Sequence, residues 1–171
     1  MPEPAFEIRP ATRADTHAVH EMIGLLADYE KLSQLNVSSE ADLAVALFGD
    51  RPAAEVLIAS KNGTPAAFAL FFHNFSTFLG RRGLWLEDLF VKPEFRRQGC
   101  AKALLQALAR LAQARSCGRF EWAVLDWNAP AIDFYQSLGA TVLPDWRIVR
   151  VVGPALETMA RGDPHPGGGI A

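Results

Sequence analysis

Apolar positions along the chain follow two rhythms, alternation and helical spacing, and the switches between them outline the elements. Phe6-Glu7-Ile8-Arg9 alternates and is closed by Pro10, which predicts a short strand. Thr12, followed three residues later by Asp15, has the spacing of a capping box. Val19, Met22, Ile23 and Leu26 then fall on one helical face, with Tyr29 and Glu30 near its end. Ser39 and Asp42 repeat the capping signature before a second stripe, Leu43, Ala46 and Leu47, which Gly49 stops. A strand is predicted from Glu55 to Ser60, a two-residue hairpin at Asn62-Gly63, and a returning strand from Pro65 to Asn74. After a loop with Gly80, Arg81, Arg82 and Gly83, a third strand runs from Leu84 to Val91 and stops before Pro93.

From Gly99 the spacing is helical again. Ala101, Leu104, Leu105, Leu108, Leu111 and Ala112 share a face, and Gly118 stands where a C-terminal cap is expected. A strand over Phe120–Asp126 follows, then Asn128 and Pro130 as N-cap and early-turn proline of a short helix ending at Gly139. Trp146–Val152 reads as a last strand. The predicted fold is an α/β sandwich around a mixed sheet, its parallel pair being Leu84–Val91 and Phe120–Asp126 joined by the Gly99–Arg115 helix. No repeat or linker interrupts residues 1–161, which are expected to form one domain. The glycine- and proline-rich residues 162–171 have nothing to bury and are expected to be a disordered tail.

Composition narrows the function classes. The chain has 171 residues, half of them apolar and 21% charged, enough for a full core and unlike a disordered tract or a coiled-coil rod. Seventeen Lys+Arg against 19 Asp+Glu leave a net charge of -2, so no global basic field draws it to nucleic acid or anionic lipid. No apolar run approaches the ~20 residues of a membrane span, and Met1-Pro2-Glu3-Pro4 is neither basic nor apolar. The expectation is a cytoplasmic protein with no membrane partner. Cys100 and Cys117 make no disulfide framework, and His17, His20, His73 and His165 have no metal-ligand spacing, so no metal is expected.

The most informative stretch is Leu89-Phe90-Val91-Lys92-Pro93-Glu94-Phe95-Arg96-Arg97-Gln98-Gly99-Cys100-Ala101-Lys102. A strand ends at proline and an Arg/Gln/Gly run opens a long amphipathic helix, whose first amides form an anion site. Gly99 and Ala101 leave room for a pyrophosphate at the backbone, and Arg96, Arg97 and Lys102 add charge. An ordinary strand–turn–helix joint with a solvated basic patch would look similar. Neither Gly-Lys-Ser/Thr nor G-x-G-x-x-G is present.

Arg96-x-x-Gly99-x-Ala101 resembles the Arg/Gln-x-x-Gly-x-Gly/Ala motif by which the GNAT N-acetyltransferases hold acetyl-coenzyme A. About 30 residues later, Trp127-Asn128-Ala129-Pro130-Ala131-Ile132-Asp133-Phe134-Tyr135-Gln136-Ser137-Leu138-Gly139-Ala140 resembles that family's second motif. Leu86-Glu87-Asp88-Leu89-Phe90-Val91 and Ala27-Asp28-Tyr29-Glu30-Lys31 are similar to the diamine (spermidine/spermine) and thialysine acetyltransferase branch. The resemblance implies a GNAT fold: a mostly antiparallel mixed sheet, flanked by helices, whose parallel pair splays at the acetyl-coenzyme A site. It also implies coenzyme contacts from Leu89, Phe90, Val91, Arg96, Arg97, Gln98, Gly99, Cys100, Ala101, Lys102, Asn128, Pro130 and Ala131. No metal is implied, and a homodimer is.

The same resemblance makes Tyr135 the acid that protonates the departing thiolate, a role open to a phenol of pKa ~10; the alternative is a core aromatic beside Phe134. Glu87 is the candidate base, working through water to neutralise the acceptor ammonium. In a regular strand Asp88 would face the other way. Tyr29, Glu30, Asp145 and Trp146 are candidates for holding the amine, and Asn74–Leu79 departs from the acidic character that polyamine acetyltransferases show near this loop, which leaves room for a shorter amine or amino acid. Cys100, at a helix N-terminus, has a rival reading as an acidified nucleophile. The activity implied is direct acetyl transfer to a small primary amine of diamine, polyamine or amino-acid type. The alternatives are an aminoglycoside or protein amine as acceptor, or an acyl-coenzyme A sensor without turnover.

Overall fold

A computed structural model describes residues 6–162. These residues fall into two units divided between Ala123 and Val124. The first is a mixed five-stranded sheet with helices on both faces. Its strands, in sheet order, are β1 (Glu7–Pro10), β2 (Glu55–Lys61), β3 (Thr64–Ser76), β4 (Arg81–Val91) and β5 (Phe120–Trp122). All neighbours are antiparallel except β4 and β5, which are parallel and joined through helix α3 (Cys100–Ala114). Asn62 and Gly63 both adopt positive φ, 52° and 77°, as the two-residue turn between β2 and β3 requires.

Helices α1 (Thr16–Tyr29) and α2 (Glu40–Phe48) cover one face. Val19, Met22, Leu43 and Leu47 pack there against Val56, Ile58, Phe68 and Phe90. Both capping boxes form, although the first opens a 3₁₀ turn, Arg13–Asp15, that leads into α1. Asp15 is buried and accepts from both Arg9 terminal nitrogens at 2.8 and 2.9 Å and from the Thr12 amide at 2.7 Å. These bonds, led by Arg9, hold its carboxyl far below the usual carboxylate range. The buried face of α3, including Leu104, Leu105 and Leu108, covers the opposite side of the sheet.

Three local expectations change. Gly118 is not the cap of α3: the helix ends at Ala114, and Ser116 takes the left-handed conformation with φ 55°. A side chain at Gly118 would instead meet Leu79 Cδ1 at 2.9 Å, so close approach explains this glycine. Strand β5 stops at Trp122 rather than Asp126. Residues 146–152 form no strand, because alternation without a partner makes no ladder. In the second unit, α4 (Ala129–Ser137) begins at an Asn128 cap, whose Oδ1 accepts from the Ala131 amide at 3.4 Å. Helix α5 (Gly153–Arg161), which the alternation concealed, ends at Gly162 with φ 75°. The rest of the expected tail, 163–171, lies outside the described residues, as does His165.

Candidate active site

The site is set by an irregularity in β4. Phe68 pairs with Phe90 and Leu70 with Asp88, but Phe71 pairs with Leu86, leaving Glu87 as an extra residue. Phe90 and Leu70 belong to the layer packed on α1 and α2, whereas Phe71 faces Leu111 and Arg115 at the far end of α3. The bulge therefore switches the side-chain parity of β4. Trp85, opposite Phe72, shares the α1 face, and its Nε1 donates to Glu87 Oε2 at 2.9 Å. Asp88, opposite Leu70, shares that face too. The expectation that Glu87 and Asp88 diverge assumed a regular strand, and the strand is not regular.

Burial pushes the Asp88 carboxyl up to about 6, with Glu87 and Glu30 adding repulsion. Glu30, at the C-terminus of α1, is also raised by burial. Three carboxylates thus converge where α1 ends over β4. Tyr29 is fixed beside them, with the Arg96 guanidinium 5.2 Å from its ring and 5.6 Å from that of Phe90. An anionic, partly desolvated cluster of this kind favours a cation.

Strand β4 continues past this point, while its pairing with β5 ends at Leu86 and Trp122. Leu89, Phe90 and Val91 therefore lie on a stretch of β4 that β5 does not cover. Next along the chain, Arg97 and Gly99 take left-handed conformations, φ 59° and 82°, before α3 begins at Cys100. Alternating conformations of this type turn successive amides toward one point. A side-chain carbon at Gly99 would meet no protein atom within 4 Å, so open space lies in front of these amides.

The basic residues divide by role. Arg97 and Lys102 are exposed, with no ion pair among the described residues. Arg96 instead donates from Nε to the Val91 carbonyl at 3.0 Å and braces the loop against α1. Gln98 donates to the Glu94 carbonyl at 3.0 Å and accepts from Lys61 at 2.7 Å. Ala101 is small and half-buried. Cys100 is 2% exposed and burial pushes its thiol up to about 11, opposite to what a nucleophile needs. Only its amide is available to a ligand.

The second unit carries Asn128, Pro130 and Ala131 in the first turn of α4 and Tyr135 further along it, half-buried, with its ring 5.5 Å from that of Phe134. Asp145 and Trp146 stand in irregular chain, Trp146 79% exposed, rather than at the head of a strand. Asp88 and Trp85 are the residues that sequence reasoning undervalued. Nearness to Glu87, one residue for Asp88 and two for Trp85, was their one visible signal, because nothing local marks the bulge.

A bulged β4 beside its parallel partner, and an amide-lined loop opening α3, define an acyltransferase of the GNAT type. Residues 21–140 match the Acetyltransferase (GNAT) family model, and the chain belongs to that family. It is 37% identical to the thialysine N-ε-acetyltransferase of Sus scrofa, across 90% of this chain and 96% of that one. It is 33% identical to the L-ornithine N5-acetyltransferase of Arabidopsis thaliana, across 89% and 86%. Among solved structures, an integron cassette protein from V. cholerae superposes with a TM-score of 0.77 at 26% identity, covering 92% of this chain and 99% of the other. The chain is an N-acetyltransferase whose relatives act on small amines.

Proposed function

We propose that the protein transfers acetyl from acetyl-coenzyme A directly to the side-chain amine of a small diamino acid of the ornithine or thialysine type. The observation that carries this is the bulge at Glu87, which brings Glu87 and Asp88 onto one face beside Glu30. Three carboxylates attract a cationic amine and disfavour an acceptor whose reacting end is anionic. The ornithine and thialysine acetyltransferase relatives support an amino-acid acceptor.

In this reading the pyrophosphate of the coenzyme sits on the amides of Gln98–Lys102, with Arg97 and Lys102 adding charge. Phe90 and Val91 present backbone amides to the thioester carbonyl. Asp88 and Glu30 hold the ammonium, and Glu87 accepts its surplus proton through water. The neutral nitrogen attacks the carbonyl carbon, the C–S bond breaks, Tyr135 gives the thiolate its proton, and the second proton shed by the new amide nitrogen passes through water to restore the phenol. A homodimer, implied by the branch resemblance, goes with this reading. Sedimentation as a monomer at micromolar concentration would remove it.

The test is coenzyme A thiol release from acetyl-coenzyme A with ornithine, lysine, putrescine, spermidine and an aminoglycoside as acceptors. Ornithine or lysine should give the highest kcat/KM. Thiol release that no acceptor stimulates, in a protein that still binds acetyl-coenzyme A, would replace the enzyme with a sensor.

A further inference from the structure

The face of the sheet that carries Glu87 continues, on its β5 side, into a second polar group. In the parallel register Trp85 stands opposite Glu121, so Glu121 lies on the Trp85 face. Asn74 joins it there, its Nδ2 3.4 Å from Glu121 Oε2. Arg119, two residues before Glu121, pairs with the same oxygen through Nε at 2.7 Å. No other hydrogen bond or ion pair engages the Arg119 side chain among the described residues, so the two terminal nitrogens of its fork have no partner among them. Its side chain is 38% exposed.

Two details mark this group as built for a ligand rather than as a surface ion pair. Asn74 Oδ1 is buried without a hydrogen-bond partner, which a folded protein rarely leaves unmet. Gly83, across from Asn74, makes the room: a Cβ there would come within 2.2 Å of Asn74 Oδ1 and 3.1 Å of Arg119 Cγ. The polar group is therefore packed over a glycine floor, with one unused acceptor and one half-used guanidinium.

We infer that Arg119 and Glu121, with Asn74, clamp the zwitterionic head of an α-amino-acid acceptor whose distal amine lies at Glu87 and Asp88. The guanidinium takes the α-carboxylate in the planar, two-bond geometry for which Arg is suited. Glu121, released from Arg119 and still held by Asn74 Nδ2, takes the α-ammonium. Charges remain balanced throughout. Spacing fits as well: one strand across and two residues along β4 separates Glu121 from Glu87 by roughly 8 Å between Cα atoms. At about 3.8 Å per three bonds of extended chain, six bonds cover that gap, the path from the α-nitrogen to the distal nitrogen of lysine, with ornithine one bond shorter. The inference rests on the amino-acid reading above and adds which residues enforce it.

The experiment compares ornithine with putrescine, which is ornithine without its carboxylate. Calorimetric binding to the full chain saturated with coenzyme A gives the ratio of dissociation constants. Ornithine should bind tenfold or more tightly than putrescine. Arg119→Gln should abolish that preference by weakening ornithine alone, and Arg119→Lys should restore part of it. Equal affinities in the unaltered protein, or an Arg119→Gln variant that keeps the ratio or weakens both ligands alike, would overturn the clamp. Should Arg119→Gln fail to fold, the Arg119→Lys ratio decides, because loss of the bidentate fork must narrow it. Turnover measured in parallel separates the two claims: binding with the predicted ratio but no acetylation would sink the enzyme reading and leave the clamp standing.

Discussion

Asp88→Asn should make the free protein more stable and a worse binder of amines. In the folded chain the Asp88 carboxyl is raised from 3.8 to about 6, first by burial and then by Glu87 and Glu30. Between those two pH values the native state holds a proton that the unfolded state has lost. Stability therefore falls as pH rises through the window, and above it the cost is fully present. A shift of that size corresponds to roughly 3 kcal/mol at neutral pH. Asparagine keeps the shape and removes the charge. Urea unfolding should show Asp88→Asn more stable than the parent by up to about 3 kcal/mol near pH 7, with the two converging near pH 4. The same substitution should weaken ornithine binding near pH 7 by about tenfold or more, since a buried carboxylate no longer faces the ammonium. Parallel stability curves for the two proteins across this range would refute the reasoning.

Tyr135→Phe deletes one oxygen and keeps the ring, so kcat should fall by about 10²–10⁴-fold with little change in coenzyme affinity; steady-state kinetics decide it, and an unaltered kcat would remove Tyr135 from the chemistry. Gly99→Glu places a carboxylate and a strained φ before the amides of α3, so acetyl-coenzyme A binding should vanish in calorimetry while the circular dichroism spectrum stays native. Asp15→Ala strips the partners from Arg9 and the Thr12 amide and should cost about 3 kcal/mol in urea unfolding near pH 7. Because the folded Asp15 carboxyl lies far below its unfolded value, that difference should persist above about pH 4 and shrink as pH falls below it.

What was legible in the sequence was local. Ser39 and Asp42 form their box because both partners lie within one turn. Asn62-Gly63 makes its hairpin because few residue pairs tolerate two positive φ values in a row. The loop from Arg96 to Lys102 could be read as an anion site because a glycine and an amphipathic helix suffice to build one. The facing of Asp88 was not legible, because it depends on how β4 registers against β3, and a one-residue slip reverses every side chain beyond it. The apolar alternation of 146–152 misled for a related reason: a strand exists only with a neighbour. Helix α5 carried its own signals, Pro154 in its first turn and Gly162 after its last, which the stronger alternation before it obscured.

The central claim is that a bulge-paired carboxylate prepares a small amine for attack on acetyl-coenzyme A. The pH dependence of ornithine acetylation, measured side by side in the unaltered protein and in Glu87→Gln, tests it most directly. If Glu87 takes the proton through water, turnover in the unaltered protein rises with pH to a plateau. In Glu87→Gln it should be lower near pH 7 and approach the parent only as bulk water deprotonates more of the amine at alkaline pH. Superimposable profiles would contradict the account, since Glu87 would then carry no proton.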